Sequence, residues 1–110
     1  MARTELTHQV IVPTGLEQTY AAAHVDGNKF TNDGRMFLHV KNGAGAPITV
    51  TIQTPGTVGD LAIADQAVTV TNGEERMIGP FPPNIYNQAD RMVYVDYSSV
   101  TTITVAVLQL

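Results

Sequence analysis

A two-residue rhythm is the feature that most limits what this chain can fold into. In Arg35–Lys41, Met36, Leu38 and Val40 fall on one side, and Arg35, Phe37, His39 and Lys41 on the other. Ile48, Val50 and Ile52 oppose Thr49, Thr51 and Gln53, while Val68 and Val70 oppose Ala67, Thr69 and Thr71. Val93, Val95 and Tyr97 oppose Met92, Tyr94 and Asp96. In the last segment Ile103, Val105 and Val107 oppose Thr102, Thr104, Ala106 and Leu108. Successive side chains of a strand point to opposite faces, so this alternation marks half-buried strands. The residues involved are mostly β-branched or aromatic and suit a pleated surface.

Turn residues divide these segments. Asp26-Gly27-Asn28, Asn32-Asp33-Gly34, Pro55-Gly56, Asn72-Gly73 and Pro80–Pro83 all break the chain. Asn42-Gly43-Ala44-Gly45 lies between two strong strand segments and is the best hairpin candidate. His8–Val12 and Arg76–Gly79 read as further strands, and Leu16–Ala23 as a strand or a single helical turn. The expectation is an all-β, antiparallel β-sandwich of seven or eight short strands, jelly-roll-like or of another sandwich topology. The 110 residues fit one domain, with residues 1–6 as a flexible N-terminal arm.

Composition narrows the function classes. No apolar run approaches the ~18 residues that span a bilayer. The polar stretch Met1–Gln9 is not expected to be a secretory signal. With no cysteine, disulfides, thiol catalysis and Cys-type zinc sites are excluded. The six bases are scattered singly against ten acids, so the basic stripe of a nucleic-acid binder is missing. Charged residues make up 15% of the chain and Thr and Val fill their place, which suits faces packed against other protein.

Candidate chemistry is sparse. His8, His24 and His39 lie far apart without metal-ligand spacing, and read as surface or hydrogen-bonded histidines. An EF-hand started at Asp26 would put Phe30 at position 5 and Phe37 at position 12, where oxygen ligands are needed. Asp60 with Asp65 and Glu74 with Glu75 are pairs that ten acids yield by chance. Ser98 and Ser99 lack a nucleophile-elbow context. No cofactor, metal or catalytic residue is expected.

Two segments carry more information. Gly79–Tyr86 holds three prolines around Phe81, either as a rigid corner with Phe81 plugging the core or as a stiff loop presenting Phe81 or Tyr86 to a partner. Phe81-Pro82 is a candidate cis bond. Val105–Leu110 is apolar on both faces. It is either a central strand buried on both sides or one whose second face, with Leu108 and Leu110, docks on another subunit.

The run Asn32–Asn42, the Pro80–Pro83 corner, Tyr86-Asn87 and Val93–Tyr97 together resemble small virion proteins of tailed bacteriophages. The resemblance implies a head-decorating protein, made in the host cytoplasm and carried on the capsid exterior. Its partner would be the major capsid protein, at junctions between subunits that it cements. It also implies a jelly-roll or related fold, homotrimers and no active site, while the scattered bases and the lack of a long apolar run speak against direct nucleic-acid or membrane contact. On that reading the arm from Arg3 through Glu5, Leu6, His8 and Val10 to Val12 adds a strand or tail to the shell. The last strand would then serve the trimer. A tail or connector protein of the same particle and a carbohydrate- or receptor-binding module are the alternatives. A cupin-like enzyme would need a histidine cluster that three dispersed histidines do not provide.

Overall fold

The computed structural model describes residues 3–109. Twelve strands appear: β1 (Thr4–Glu5), β2 (Gln9–Val10), β3 (Ala21–Ala22), β4 (Asn28–Thr31), β5 (Met36–Asn42), β6 (Ile48–Ile52), β7 (Thr57–Val58), β8 (Leu61–Ala62), β9 (Gln66–Val70), β10 (Glu75–Ile78), β11 (Met92–Tyr97) and β12 (Ile103–Gln109). Seven have four residues or more, and five are two-residue pieces. One sheet runs β1-β4-β11-β6-β9. The other runs β10-β5-β12-β2, with β3 also on β12, and β7-β8 form a separate ribbon. The fold is an all-β sandwich.

Alternation decides which side chains meet between the sheets. Leu38 and Val40 of β5, Val50 and Ile52 of β6, Val93 and Val95 of β11 and Val105 and Val107 of β12 are all buried. In register, Val105 lies opposite Val40 and Val107 opposite Leu38, so apolar residues line up across neighbouring strands on the inner face. Phe30 and Phe81 are the largest buried side chains, with ring centroids 5.7 Å apart. Tyr86 meets Phe81 edge-on at 5.2 Å.

The Asn42–Gly45 segment is not a hairpin. It carries the chain from β5 in one sheet to β6 in the other. The reason lies in the buried Asn42 side chain. Its amide donates to the carbonyls of Ala46 (3.0 Å) and Val70 (2.9 Å), and its oxygen accepts from the Ala44 N–H (2.9 Å). These bonds hold an arch, and an arch lets both flanking apolar stripes face one core. The chain then passes between sheets from β4 to β5, β5 to β6, β9 to β10, β10 to β11 and β11 to β12.

Leu16–Ala23 contains no helix; only Ala21–Ala22 forms strand, beside β12. The proline segment is a corner that ends in a one-turn helix, α1 (Pro83–Tyr86). The cis bond is Gly79-Pro80 rather than Phe81-Pro82. Asn32 and Asn87 fasten this corner to β4. The Asn32 amide donates to the Phe81 carbonyl (2.8 Å) and to Asn87 Oδ1 (2.7 Å), while Asn87 Nδ2 donates back to the Asn32 carbonyl (3.2 Å). Among the described residues no buried side-chain polar atom lacks a hydrogen-bond partner, as a stable interior requires.

Phe81 is only 2% exposed and touches aromatic rings on two sides. Truncating it leaves a cavity that the stiff corner cannot collapse into. Phe81→Ala is expected to cost about 3–5 kcal/mol, read as a lower denaturant midpoint at unchanged slope. A loss below about 1 kcal/mol, the level of an ordinary surface change, would contradict the corner's role.

Candidate functional site

Residues 3–6, expected in a free arm, are stitched into the sandwich. Thr4 N–H donates to the Gly27 carbonyl (3.2 Å) and Leu6 N–H to the Lys29 carbonyl (2.7 Å), so β1 runs parallel to β4. The buried Asn28 reinforces this edge. Its amide donates to the Thr4 carbonyl (3.0 Å), and its oxygen accepts from the Tyr97 hydroxyl (2.8 Å). Burial first, and then the nearby Asp96 charge, pushes the Tyr97 phenol well above its ordinary range. Arg3 reaches across the edge. Its guanidinium donates to the Val95 carbonyl (2.9 Å), pairs with Asp96 (2.7 Å) and stacks over the Tyr94 ring (4.8 Å). A Cβ at Gly27 would collide with this guanidinium and with the Val95 carbonyl, and Gly27 has φ +93°, so glycine is required there.

The other residues expected to bind partners divide by burial. Leu6, Phe81 and Leu108 are buried within the chain, the last two at 2% and 5% exposure. Glu5 is exposed, and His8 and Tyr86 are half-buried. Leu110 lies outside the described residues. Val10 is 49% exposed, and it heads a ledge with Ile11 and Val12, each 41% exposed. Gln9 and Val10 run parallel to Leu108 and Gln109, and Ile11 N–H donates to the Gln109 carbonyl (2.9 Å). The chain then turns, with Gly15 N–H donating to the Val12 carbonyl (3.0 Å). Three consecutive β-branched side chains therefore stand in solvent at a sheet edge. The signal in the sequence is the run Val10-Ile11-Val12-Pro13, which is apolar on both faces where a half-buried strand alternates.

Beyond the ledge, β2 and β3 part along β12. The gap is a cavity of about 230 Å³ lined by Leu6, Thr7, Gln9, Tyr20 and Ala106 among others. The Gln9 side chain bridges it by donating to the Thr19 carbonyl (2.8 Å) and accepting from the Thr19 N–H (2.9 Å). Tyr20 lies over the outer face of β5. Its hydroxyl is 2.7 Å from His39 Nδ1, and His39 Nε2 is 2.6 Å from Glu75 Oε1. The tautomer satisfying both partners has Nε2–H donating to Glu75 and Nδ1 accepting from Tyr20. Lys41 Nζ sits 4.6 Å from the Tyr20 ring centroid. This phenol–imidazole–carboxylate chain is the arrangement nearest to a catalytic one. Its bonds hold the Tyr20 side chain against β5, and His39 is a buried, hydrogen-bonded histidine. Among the described residues no three His, Asp or Glu side chains converge as a metal-ligand set.

The Arg3–Asp96 pair gives a pH test of the N-terminal edge. Burial alone would raise the Asp96 pKa. Hydrogen bonds from Arg3 and Gln53, with the Arg3 charge, outweigh burial and hold the pKa below its ordinary value. A carboxylate with a depressed folded pKa adds stability above its unfolded pKa and loses it as pH falls through the folded value. Wild type should therefore exceed Asp96→Asn by up to about 1 kcal/mol near neutrality, and the gap should begin to shrink as pH falls below about 4. A gap undiminished from neutrality down to about pH 2 would contradict the pairing. No known protein family, curated protein or solved structure matches the chain.

Proposed function

We propose that this protein is a structural component of a virus particle, a head-decorating protein that binds major capsid subunits at their junctions and cements them. The observation that carries the reading is the Val10-Ile11-Val12 ledge. Contiguous exposed apolar side chains at a sheet edge cost solubility, and on small proteins they mark contact sites. The ledge combines apolar side chains with an edge strand two residues long, so a partner can add both packing and main-chain hydrogen bonds. The weakly charged sequence and the resemblance to small tailed-phage virion proteins point the same way. Many copies on one shell would raise a modest contact to stable attachment. The tail or connector alternative would use the same ledge at another place in the particle.

The docking segment on this reading is residues 10–12, with Arg3–Leu6 held back in the sandwich. Deleting residues 1–9 would strip Leu6 from the core and Gln9 from its bonds to Thr19, so loss of binding would report unfolding. Ile11→Asp with Val12→Asp changes only exposed positions. The double variant should keep the wild-type melting temperature and lose retention on empty capsids in a pull-down. Retention equal to wild type would overturn docking through the ledge, and no retention of wild type on capsids would overturn the decorating role.

A further inference from the structure

The four lateral edges of the sandwich are not equally protected. β1 and β3 are two residues long, and Arg3 and the Gln9 side chain tie down the chain beside them, while β2 carries the ledge described above. On β10, Asn42 N–H donates to the Glu74 carbonyl, so alternation turns the Glu75 carbonyl outward. The Arg76 guanidinium occupies that carbonyl at 2.8 Å and pairs with Glu74 at 2.7 Å. Charged side chains on an edge are a known block to stray strand pairing.

β9 has no such guard. Gln66-Ala67-Val68-Thr69-Val70 carries no charge and no proline. Its pairing with β6 runs unbroken from Ile52↔Gln66 to Ile48↔Val70, without a bulge. Thr49 exchanges hydrogen bonds with Ser98 on its other side. Thr49↔Thr69 and Thr51↔Ala67 are therefore the non-hydrogen-bonded pairs of the β6–β9 ladder. The N–H and C=O groups of Ala67 and Thr69 accordingly point to the open edge. Val68 turns inward yet remains half-buried, beside a cleft of about 310 Å³ that Arg76, Ile78, Phe81 and Tyr86 also line. An inward valine left half-wet and four outward main-chain groups define a place for one more strand.

We infer that this strand is β9 of a second copy, joined antiparallel about a two-fold axis at Val68. Its register satisfies itself. Ala67 of each copy faces Thr69 of the other, and each such pair exchanges two main-chain hydrogen bonds. Val68 meets Val68 at the closely spaced, non-hydrogen-bonded position. Gln66 faces Val70 at both ends. Because β9 is neutral, the two-fold sets no like charges opposite one another within the paired strands, a condition that the Glu74–Arg76 edge fails. The two five-stranded sheets would merge into one of ten strands. A self-complementary patch gives a closed two-fold pair, whereas the trimer that the phage resemblance implies needs two different surfaces on each copy. The inference is independent of capsid binding.

The test is the solution mass of the full-length protein over a concentration series, with two variants. Wild type should show the mass of two copies at high concentration and fall to one on dilution. Ala67→Lys with Thr69→Lys sets lysines across the two-fold on exposed positions. It should be single at every concentration where wild type is paired, with an unchanged melting temperature. Val68→Cys should cross-link into a covalent dimer on mild oxidation, and Ala67→Cys should not, since its neighbour across the axis is Thr69. Wild type that stays single up to millimolar concentration would overturn the inference. So would a trimer, or any oligomer that the lysine variant leaves intact.

Discussion

Every other feature of this molecule depends on apolar stripes from two sheets closing on one another. Neither sheet is built from a continuous stretch of chain: β4, β11, β6 and β9 form one, and β10, β5 and β12 the other. Each strand thus finds its neighbour through long-range pairing, and its buried face is satisfied only by residues from the opposite sheet. Such a topology is costly in chain entropy and is expected to fold slowly. It is stable because Phe30, Phe81, Leu38 and the buried valines and isoleucines leave water together.

Three buried asparagines convert this oily contact into a particular fold. Asn28 holds the N-terminal edge, Asn32 the proline corner and Asn42 the arch between sheets. Each makes several hydrogen bonds, at least one of them to a segment distant in sequence. A register slip would leave these amides buried and unpaired, at a cost of about 1–3 kcal/mol each. The polar anchors fix which edges are closed, and so also which remain open. The ledge at residues 10–12 and the β9 edge are the remainder.

The strands were legible in the sequence because alternation is a local signal. Met36-Leu38-Val40, Ile48-Val50-Ile52, Val93-Val95 and Ile103-Val105-Val107 all face the core as their spacing implies. What was not legible depends on partners far along the chain. Asn42–Gly45 has hairpin residues, but the buried Asn42 amide reaches Val70 and makes an arch. The two-residue strands carry no pattern of their own, so the return of residues 3–6 to β4 had no local cue. The second apolar face of β12 admitted two readings, burial by the chain or by another subunit. Ala106 and Leu108 are buried within the single chain, and Tyr20, an ordinary residue in a weakly patterned segment, bonds to His39, the neighbour of Ala106 on β5. The ledge was visible as a run of apolar residues, but whether it lay in the core or in water was set by where β2 attaches.

Amide hydrogen exchange tests the central claim most directly, because it reads closure of the sheets and openness of the edge in one experiment. The account predicts the slowest exchange in the middle of β5, β11 and β12. In β9 of the dilute protein, Val68 should be slow, while Ala67 and Thr69 on either side exchange fast and slow down as concentration rises. Slow exchange at Ala67 and Thr69 in dilute solution, or fast exchange through β12, would contradict it.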